Sequence, residues 1–545
     1  MKPLLIAMLC VGAAHAVVGQ QDMRKFYDDD PLLVAADTQD ASGASVHEVD
    51  LFYEVLSSTF ATPRQPTEPI PAMNINTVDE VPDSSWFTNR VLVRSLSDTE
   101  LTLGAAGSTD GPAPGPWAIT ASKTKGFAPG FTIRDAKGTT WFIEFDPDGH
   151  AEGATGALLV ANRLFHAIGY WQAEQHLTVL RPDQLTIESS ALVQRPSGAQ
   201  TRMTRGDVAE VLRRAERNHD GSYRVVAARL IPGKVLGNFA YQGTRSDDPN
   251  DVVPHQHRRE LRALQVFGAW TNLVDMKAGN TLDALVTEGG RSFIRHYLQD
   301  VGSTFGIGAN GPHRWDEGFE YLYEGDKLFK RLISVGFYRQ PWQSADYEEF
   351  DSIGRFESEV FDPVTWRSRL PNTAALHAQP ADTFWAARRV MAFTDQMIRT
   401  IVASGHYSDP QAAEHLARTL IARRDKIGRA YLPAVNPIVN PAFDGSVLTF
   451  DNAAVSAGMA AAPGGYLARW ARFDNQRQRA TVIAETTAAE GRMTAPAGLP
   501  SAAGDYIQVE LTATDPPRPS WKQPVTVYFR RVGAGWKLVG LERTS

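Results

Sequence analysis

Cysteine is almost missing from this chain: Cys10 is the single one among 545 residues. A disulfide framework and a cysteine-ligated metal site are excluded on that count. An excess of positive charge is missing too. The 55 Lys and Arg stand against 62 Asp and Glu, for a formal net charge of −7, so a general nucleic-acid binder is not expected. Beyond the first 16 residues no apolar run reaches the roughly 20 residues that a membrane-spanning helix needs. Collagen periods, heptads, internal repeats and long low-complexity tracts are also absent. So are Gly-x-Ser-x-Gly, His-Glu-x-x-His and the Walker pattern, which leaves serine hydrolase, zincin and P-loop NTPase readings without their signatures.

What is present is ordinary globular composition, 43% hydrophobic and 21% charged, in a chain long enough for several domains. Residues 1–16 have the three parts of a secretory signal peptide. Lys2 is the positive region, 3–13 the apolar stretch, and Ala14-His15-Ala16 the small-x-small cleavage site. This predicts a secreted or periplasmic protein from which Cys10 is removed. Residues 17–115 read as an N-terminal extension and linker, acidic and aromatic at first, then rich in Pro, and ending in a Gly/Pro/Ala/Ser stretch over 104–116. A central domain is expected over 116–435 and a small antiparallel β-rich domain over 436–545, where Ile507, Val509 and Leu511 alternate, as do Val525, Val527 and Phe529.

Within the central region the pattern predicts strand, glycine-bearing loop (123–130), strand, tight turn, strand over 117–145. On the third strand Trp141, Ile143 and Phe145 share one face, and Phe142 and Glu144 the other. A helix follows, with Leu158, Ala161, Leu164, Phe165 and Ile168 at helical spacing and Gly169 as its stop. A second helix is expected over 257–274, a third over 383–404, and a fourth over 411–427 with Asp409-Pro410 at its start and Gly428 at its end.

The chemistry-bearing segment is Asp275-Met-Lys-Ala-Gly-Asn280, which leads through two short strands to Asp300-Val-Gly302. Phosphoryl transfer needs a carboxylate to orient or deprotonate the acceptor hydroxyl. It also needs an amide oxygen and a second carboxylate to hold the metal that bridges the phosphates. An Asp-x4-Asn loop followed by an Asp-x-Gly turn supplies these groups.

In motif order and in the layout of roughly 117–430, the chain resembles the protein-kinase-like superfamily, in particular its atypical HipA-type and CotH-type kinases. The resemblance implies an α+β fold, with a bilobal protein-kinase-like core, an N-terminal extension and a small C-terminal antiparallel β-domain. It implies Asp275 as the catalytic residue and Asn280 and Asp300 as metal ligands. The implied cofactor is Mg²⁺ or Mn²⁺ with ATP, and the implied acceptor is a protein or glycan hydroxyl of the cell envelope. Two departures stand out. Glu144 sits where that family carries a phosphate-binding lysine, and the following helix offers no carboxylate to pair with one. Either Lys123 or Lys125, on the loop with Gly126 and Gly130, reaches the phosphates, or Glu144 serves as a further metal ligand. The alternative is a non-catalytic pseudokinase or binding protein.

The remaining candidates have simpler readings. His255-x-His257 lacks a third ligand at fixed spacing and reads as a polar helix entry; His296 reads as a packed histidine. Ser303 and Thr304 read as phosphate contacts or turn residues. Arg423-Arg424-Asp425-Lys426 reads as a solvated helix face. Tyr506, Trp521, Tyr528 and Trp536 read as core aromatics before sugar-stacking ones.

Overall fold

The computed structural model describes residues 24–35, 37–60, 69–122, 129–195, 198–334 and 337–543. The predicted signal peptide lies outside them, as do Lys123, Lys125 and Gly126. The fold is mixed α and β around a large sheet.

An extension carrying helix α1 (Leu51–Phe60) and a short helix at Asp98–Leu103, capped by Ser97, precedes the large sheet. The sheet is built from β1 (Trp117–Ser122), β2 (Gly130–Arg134), β3 (Thr140–Phe145), β4 (Gln175–Leu180), β5 (Leu185–Gln194), β6 (Gln200–Arg202) and β7 (Tyr223–Arg229). The strand order is β4-β7-β3-β2-β1-β5-β6, so the expected three-strand meander is the middle of seven strands. Side-chain alternation divides its faces. Ile119, Ile133, Trp141, Ile143, Phe145 and Val225 form an apolar layer covered by Val208, Val211 and Leu212 of α3 (Arg205–Arg213). On the opposite face Val226 packs on Leu158 and Leu159 of α2 (Gly153–Ile168). Helix α2 starts where the buried Asp146 accepts from the backbone N–H of Thr155 (2.7 Å). It stops at Gly169, whose φ of +144° a side chain would resist and whose Cβ would strike the Phe87 ring.

The helical expectations need three corrections. The stretch 257–274 is not one helix: it divides into short turns at His255–His257 and Arg259–Arg262, then α4 (Leu264–Thr271), closed by Asn272 in a left-handed conformation. Leu261, Leu264, Phe267, Trp270 and Val274 are nevertheless all buried, as their spacing predicts. The stretch 383–404 divides into α5 (Pro380–Met391) and α6 (Asp395–Ala403), because Thr394 caps a new helix with its hydroxyl. Helix α7 (Pro410–Tyr431) runs through Gly428 instead of stopping there. That glycine lets α5 approach, since a Cβ would lie 2.5 Å from the Met391 sulfur.

A second sheet, in the order β10-β9-β8, contains β8 (Lys234–Gly237), β9 (Thr281–Glu288) and β10 (Arg291–Leu298). A small ladder of β11 (Ile307–Gly308) and β12 (Gly311–Pro312) follows. The tail forms two more sheets. One joins β13 (Ile438–Phe443), β14 (Val447–Asn452) and β17 (Arg492–Thr494). The other orders β16 (Arg479–Ala488), β15 (Gly465–Asp474), β18 (Tyr506–Thr514), β19 (Val525–Val532) and β20 (Gly535–Arg543) antiparallel. Their inner residues Trp470, Val509 and Val527 join one apolar cluster with Trp270, Trp385 and Leu420 of the helices. Among the described residues no helix is long and apolar enough to cross a membrane.

Candidate active site

The distance in sequence between the two motifs is a property of one hairpin. Strands β9 and β10 pair in full register from Thr281↔Leu298 to Glu288↔Arg291, so the residues just outside the open end must be neighbours. Those residues are Asn280 and Gln299. The Asn280 carbonyl accepts from the backbone N–H of Gln299 (2.9 Å) and of Asp300 (3.1 Å). The Asn280 side chain turns the other way, and its Nδ2 donates to the Asp275 carbonyl (2.7 Å). One asparagine thus links both motifs, through the backbone carbonyl of Asp275 and the backbone N–H groups of Gln299 and Asp300.

The loop is held from three sides. Buried α4 delivers Leu273 and Val274 to it. The Val274 N–H donates to the Ser303 carbonyl (3.2 Å), and the Val274 carbonyl accepts from the Arg369 N–H (2.8 Å). Thr281 ties the exit down by donating to the Ala278 carbonyl (2.8 Å). Beyond β10, Asp300 folds its Oδ1 back onto the N–H of Gly302 (3.0 Å), and Asp300 itself is exposed. Gly302 was expected to permit a sharp turn. Its φ lies outside the left-handed region, and the constraint is instead proximity: a Cβ would sit 3.2 Å from Leu158 of α2 and 3.4 Å from Asp300 Oδ1.

Leu158 is therefore the residue that α2 presents to the Asp-x-Gly turn, and its side chain is apolar. Glu144 pairs across the sheet with Gly130 on one side and Val226 on the other. Paired residues share a face, so Glu144 lies on the α2 side of the sheet with Val226. Glu152 accepts from the Ser408 N–H (2.7 Å) and lies 3.9 Å from Arg224.

Three groups of side chains at this site were missed by sequence reasoning. Lys277 places its ammonium 2.7 Å from Asp275 Oδ2, and its position two residues after Asp275 was the available signal. Glu54 of α1 caps the loop by accepting from the Ala278 N–H with both carboxylate oxygens (2.9 and 3.1 Å). Burial pushes its carboxyl pKa up, against the opposing pull of that N–H and of Lys277. No local sequence signal joins residues 224 apart. The third group is His313 with Glu317 behind it; His313 Nε2 lies 3.0 Å from the Oγ of Ser303, a residue the sequence had offered as a phosphate contact or turn residue. Burial, with Arg369 adding to it, pushes His313 down to about 3, so the ring is neutral. His313 Nδ1 and Glu317 Oε2 stand 3.8 Å apart, too far for a hydrogen bond, and Glu317 is committed to Arg369 (2.5 Å). The set is not a nucleophilic triad; it braces the chain after Gly302.

The donor chemistry suits a hard divalent cation. With Nδ2 committed to the Asp275 carbonyl, Asn280 has its Oδ1 to offer, and Asp300 adds a carboxylate. Among the described residues no group of three or more His, Cys, Asp or Glu side chains could hold a metal. An amide oxygen and one carboxylate match instead the sparse protein shell of a magnesium-type ion completed by substrate phosphates.

The other candidates resolve structurally. His255 bonds Asp251 (2.7 Å), and His296 bonds Asp283 (2.7 Å) and stacks on Trp86. Trp521 and Tyr528 are buried, while Tyr506 and Trp536 are half-buried.

No family model and no curated protein matches the chain. Among solved structures, the crystal structure of the Golgi casein kinase with Mn/ADP bound is similar at 12% identity and a TM-score of 0.30, over 73% of this chain and 93% of that one. A second crystal structure of the Golgi casein kinase is similar at 12% identity and a TM-score of 0.29, over 74% and 94%. Neither is described as a HipA-type or CotH-type kinase.

Proposed function

We propose that this chain is an exported, bilobal kinase-like protein that transfers a phosphoryl group from ATP to a protein or glycan hydroxyl with the help of Mg²⁺ or Mn²⁺. The observation that carries the reading is the Asn280 clasp, which brings a carboxylate with a lysine partner and a metal-type pair of oxygens to one loop edge. Asp275 orients the acceptor hydroxyl and takes its proton as the oxygen attacks the γ-phosphorus. The bond from that phosphorus to the bridging oxygen breaks, and the nucleoside diphosphate leaves. Lys277 offsets negative charge as the phosphoryl group approaches Asp275. Asn280 and Asp300 would hold the cation, which would supply charge neutralisation at the phosphates. The pattern of residues 1–16 supports export, and the tail sheets serve as an accessory β-rich unit.

A second reading is favoured by Glu144 and Leu158: a pseudokinase that keeps the fold without transfer. A carboxylate facing the phosphate side repels a triphosphate unless a cation intervenes. Calorimetry with ATP, with and without Mn²⁺, decides between the readings. The kinase reading expects metal-dependent binding in wild type and its loss in Asp300→Ala. ATP binding that ignores both the metal and the substitution would leave the pseudokinase reading. No binding in wild type would end both nucleotide readings.

A further inference from the structure

Helix α1 has the features of an added cover instead of a structural element. None of its ten residues is buried, and Phe52, Tyr53 and Phe60 are 75%, 67% and 68% exposed. A helix of this length has little stability of its own. Its inward contacts converge on the candidate catalytic loop. Glu54 accepts from the Ala278 N–H, and Leu51 lies over Gly279, within 3.2 Å of where a Cβ would stand. A third contact, Phe60 against Tyr323 at 5.4 Å between ring centres, steadies the far end.

The flanks are anchored separately. Before the helix, the His47 N–H donates to the Leu236 carbonyl (2.8 Å), and His47 forms a bridge with Gly237. After it, Arg262 donates to the Ile70 carbonyl (3.0 Å). With both ends fixed, α1 can lift from the loop without disturbing either sheet, as expected of a low-stability segment that opens locally.

We propose that α1 is an autoinhibitory strap, which lies over the Asp275–Asn280 loop through Glu54 and Leu51 and keeps an acceptor from Asp275 until it is displaced. The inference rests on the kinase-like reading. It follows from what the contacts occupy. The Ala278 N–H of the loop is taken by Glu54 with both oxygens. The Glu54 carboxylate is also close enough to Lys277 and Asp275 for their charges to act on it. It therefore competes for the ammonium that an incoming phosphoryl group needs and adds negative charge beside the acceptor path. Leu51 covers the glycine at which the loop surface is lowest.

The test uses the full mature chain with Leu51→Asp and Glu54→Ala, and with Phe52→Ala on the outer face as control. Two quantities are read: amide exchange across residues 276–280, and ATP turnover with Mn²⁺ and water as acceptor. In the two inner-face variants exchange accelerates about tenfold and turnover rises at least about threefold, while ATP affinity stays within about twofold of wild type. Phe52→Ala changes none of these. Unchanged exchange in both inner-face variants would show that α1 does not cover the loop; it overturns the strap and leaves the kinase reading standing. Faster exchange with unchanged turnover, in a protein that binds ATP, overturns inhibition and reduces α1 to a structural cap. Failure of every variant and of wild type to bind ATP defeats the kinase reading, and the strap with it.

Discussion

Glu80 shows how much a single half-buried carboxylate can contribute here. It accepts from Trp385 Nε1 (2.9 Å) and Arg389 (3.3 Å) and also pairs with Arg388. Burial raises its pKa, but the two guanidiniums outweigh burial and bring it from 4.5 down to about 2. A carboxyl whose folded pKa lies below its unfolded value contributes stability above the unfolded pKa, and this is lost as pH falls toward the folded one. Glu80→Gln is therefore expected to lose on the order of 2–3 kcal/mol at pH 7. The gap to wild type should shrink between pH 4.5 and about 2, as melting curves across that window would show. Residues of this kind set the limit of sequence reading. The nearness of Asn280 to Asp300 was legible because one local hairpin brings the residues flanking it together. Arg423 was not: it was read as part of a solvated charged face, yet it is buried between Phe356 and Phe361, 4.2 and 4.1 Å from their ring centres. It donates to the Glu357 (2.6 Å) and Ala269 (3.0 Å) carbonyls, partners that its own helix does not announce.

At the scale of elements, apolar periodicity located the strands over 117–145 and the main helices of the central region but not where those helices break, and it left α1 and strands β13 to β17 unmarked. The stripe through 383–404 continues across α5 and α6, so spacing alone predicts one helix. The break is made by Phe393, fully buried and 5.1 Å from Trp270 between ring centres, and by Thr394, whose hydroxyl accepts from the Met397 N–H (3.2 Å). A serine, threonine or aspartate inside a helical pattern competes for backbone donors and marks a new start only when packing favours the turn. Thr394→Ala is expected to cost about 1 kcal/mol, the usual value of an N-cap. Thr394→Ser should keep most of it. Urea titrations of the three proteins check both, and an alanine variant as stable as wild type would mean that Phe393 alone makes the break.

The whole molecule is tied together more tightly than the sequence suggested. The strands of the tail all pair antiparallel, with a short helix at Ala453–Ser456 between them. The apolar side chains of those strands close onto the helices. Trp521 is fully buried, and its Nε1 donates to the Pro433 carbonyl just beyond α7 (3.2 Å). The last strand is held from the other end of the chain. The Leu541 N–H donates to the Thr77 carbonyl (2.7 Å), and Arg543 pairs with Asp79 (3.1 Å). Asp79 in turn pairs with Arg259 (2.6 Å), in the segment that leads to α4 and the Asp275 loop. Phe26 packs on Phe473 and Tyr528 of the tail sheet, so the extension is built into the same body. Shared core and shared ion pairs couple these parts, and a cooperative unit should unfold as one. Trp521→Ala removes a fully buried side chain at the junction and is expected to cost about 3–5 kcal/mol. Calorimetry should then show one transition at lower temperature, with near-ultraviolet circular dichroism lost in step. A tail that folded by itself would respond differently. The heat-capacity trace would split in two, with the helical part melting where it does in wild type, and that result would break the coupling argued from the common core.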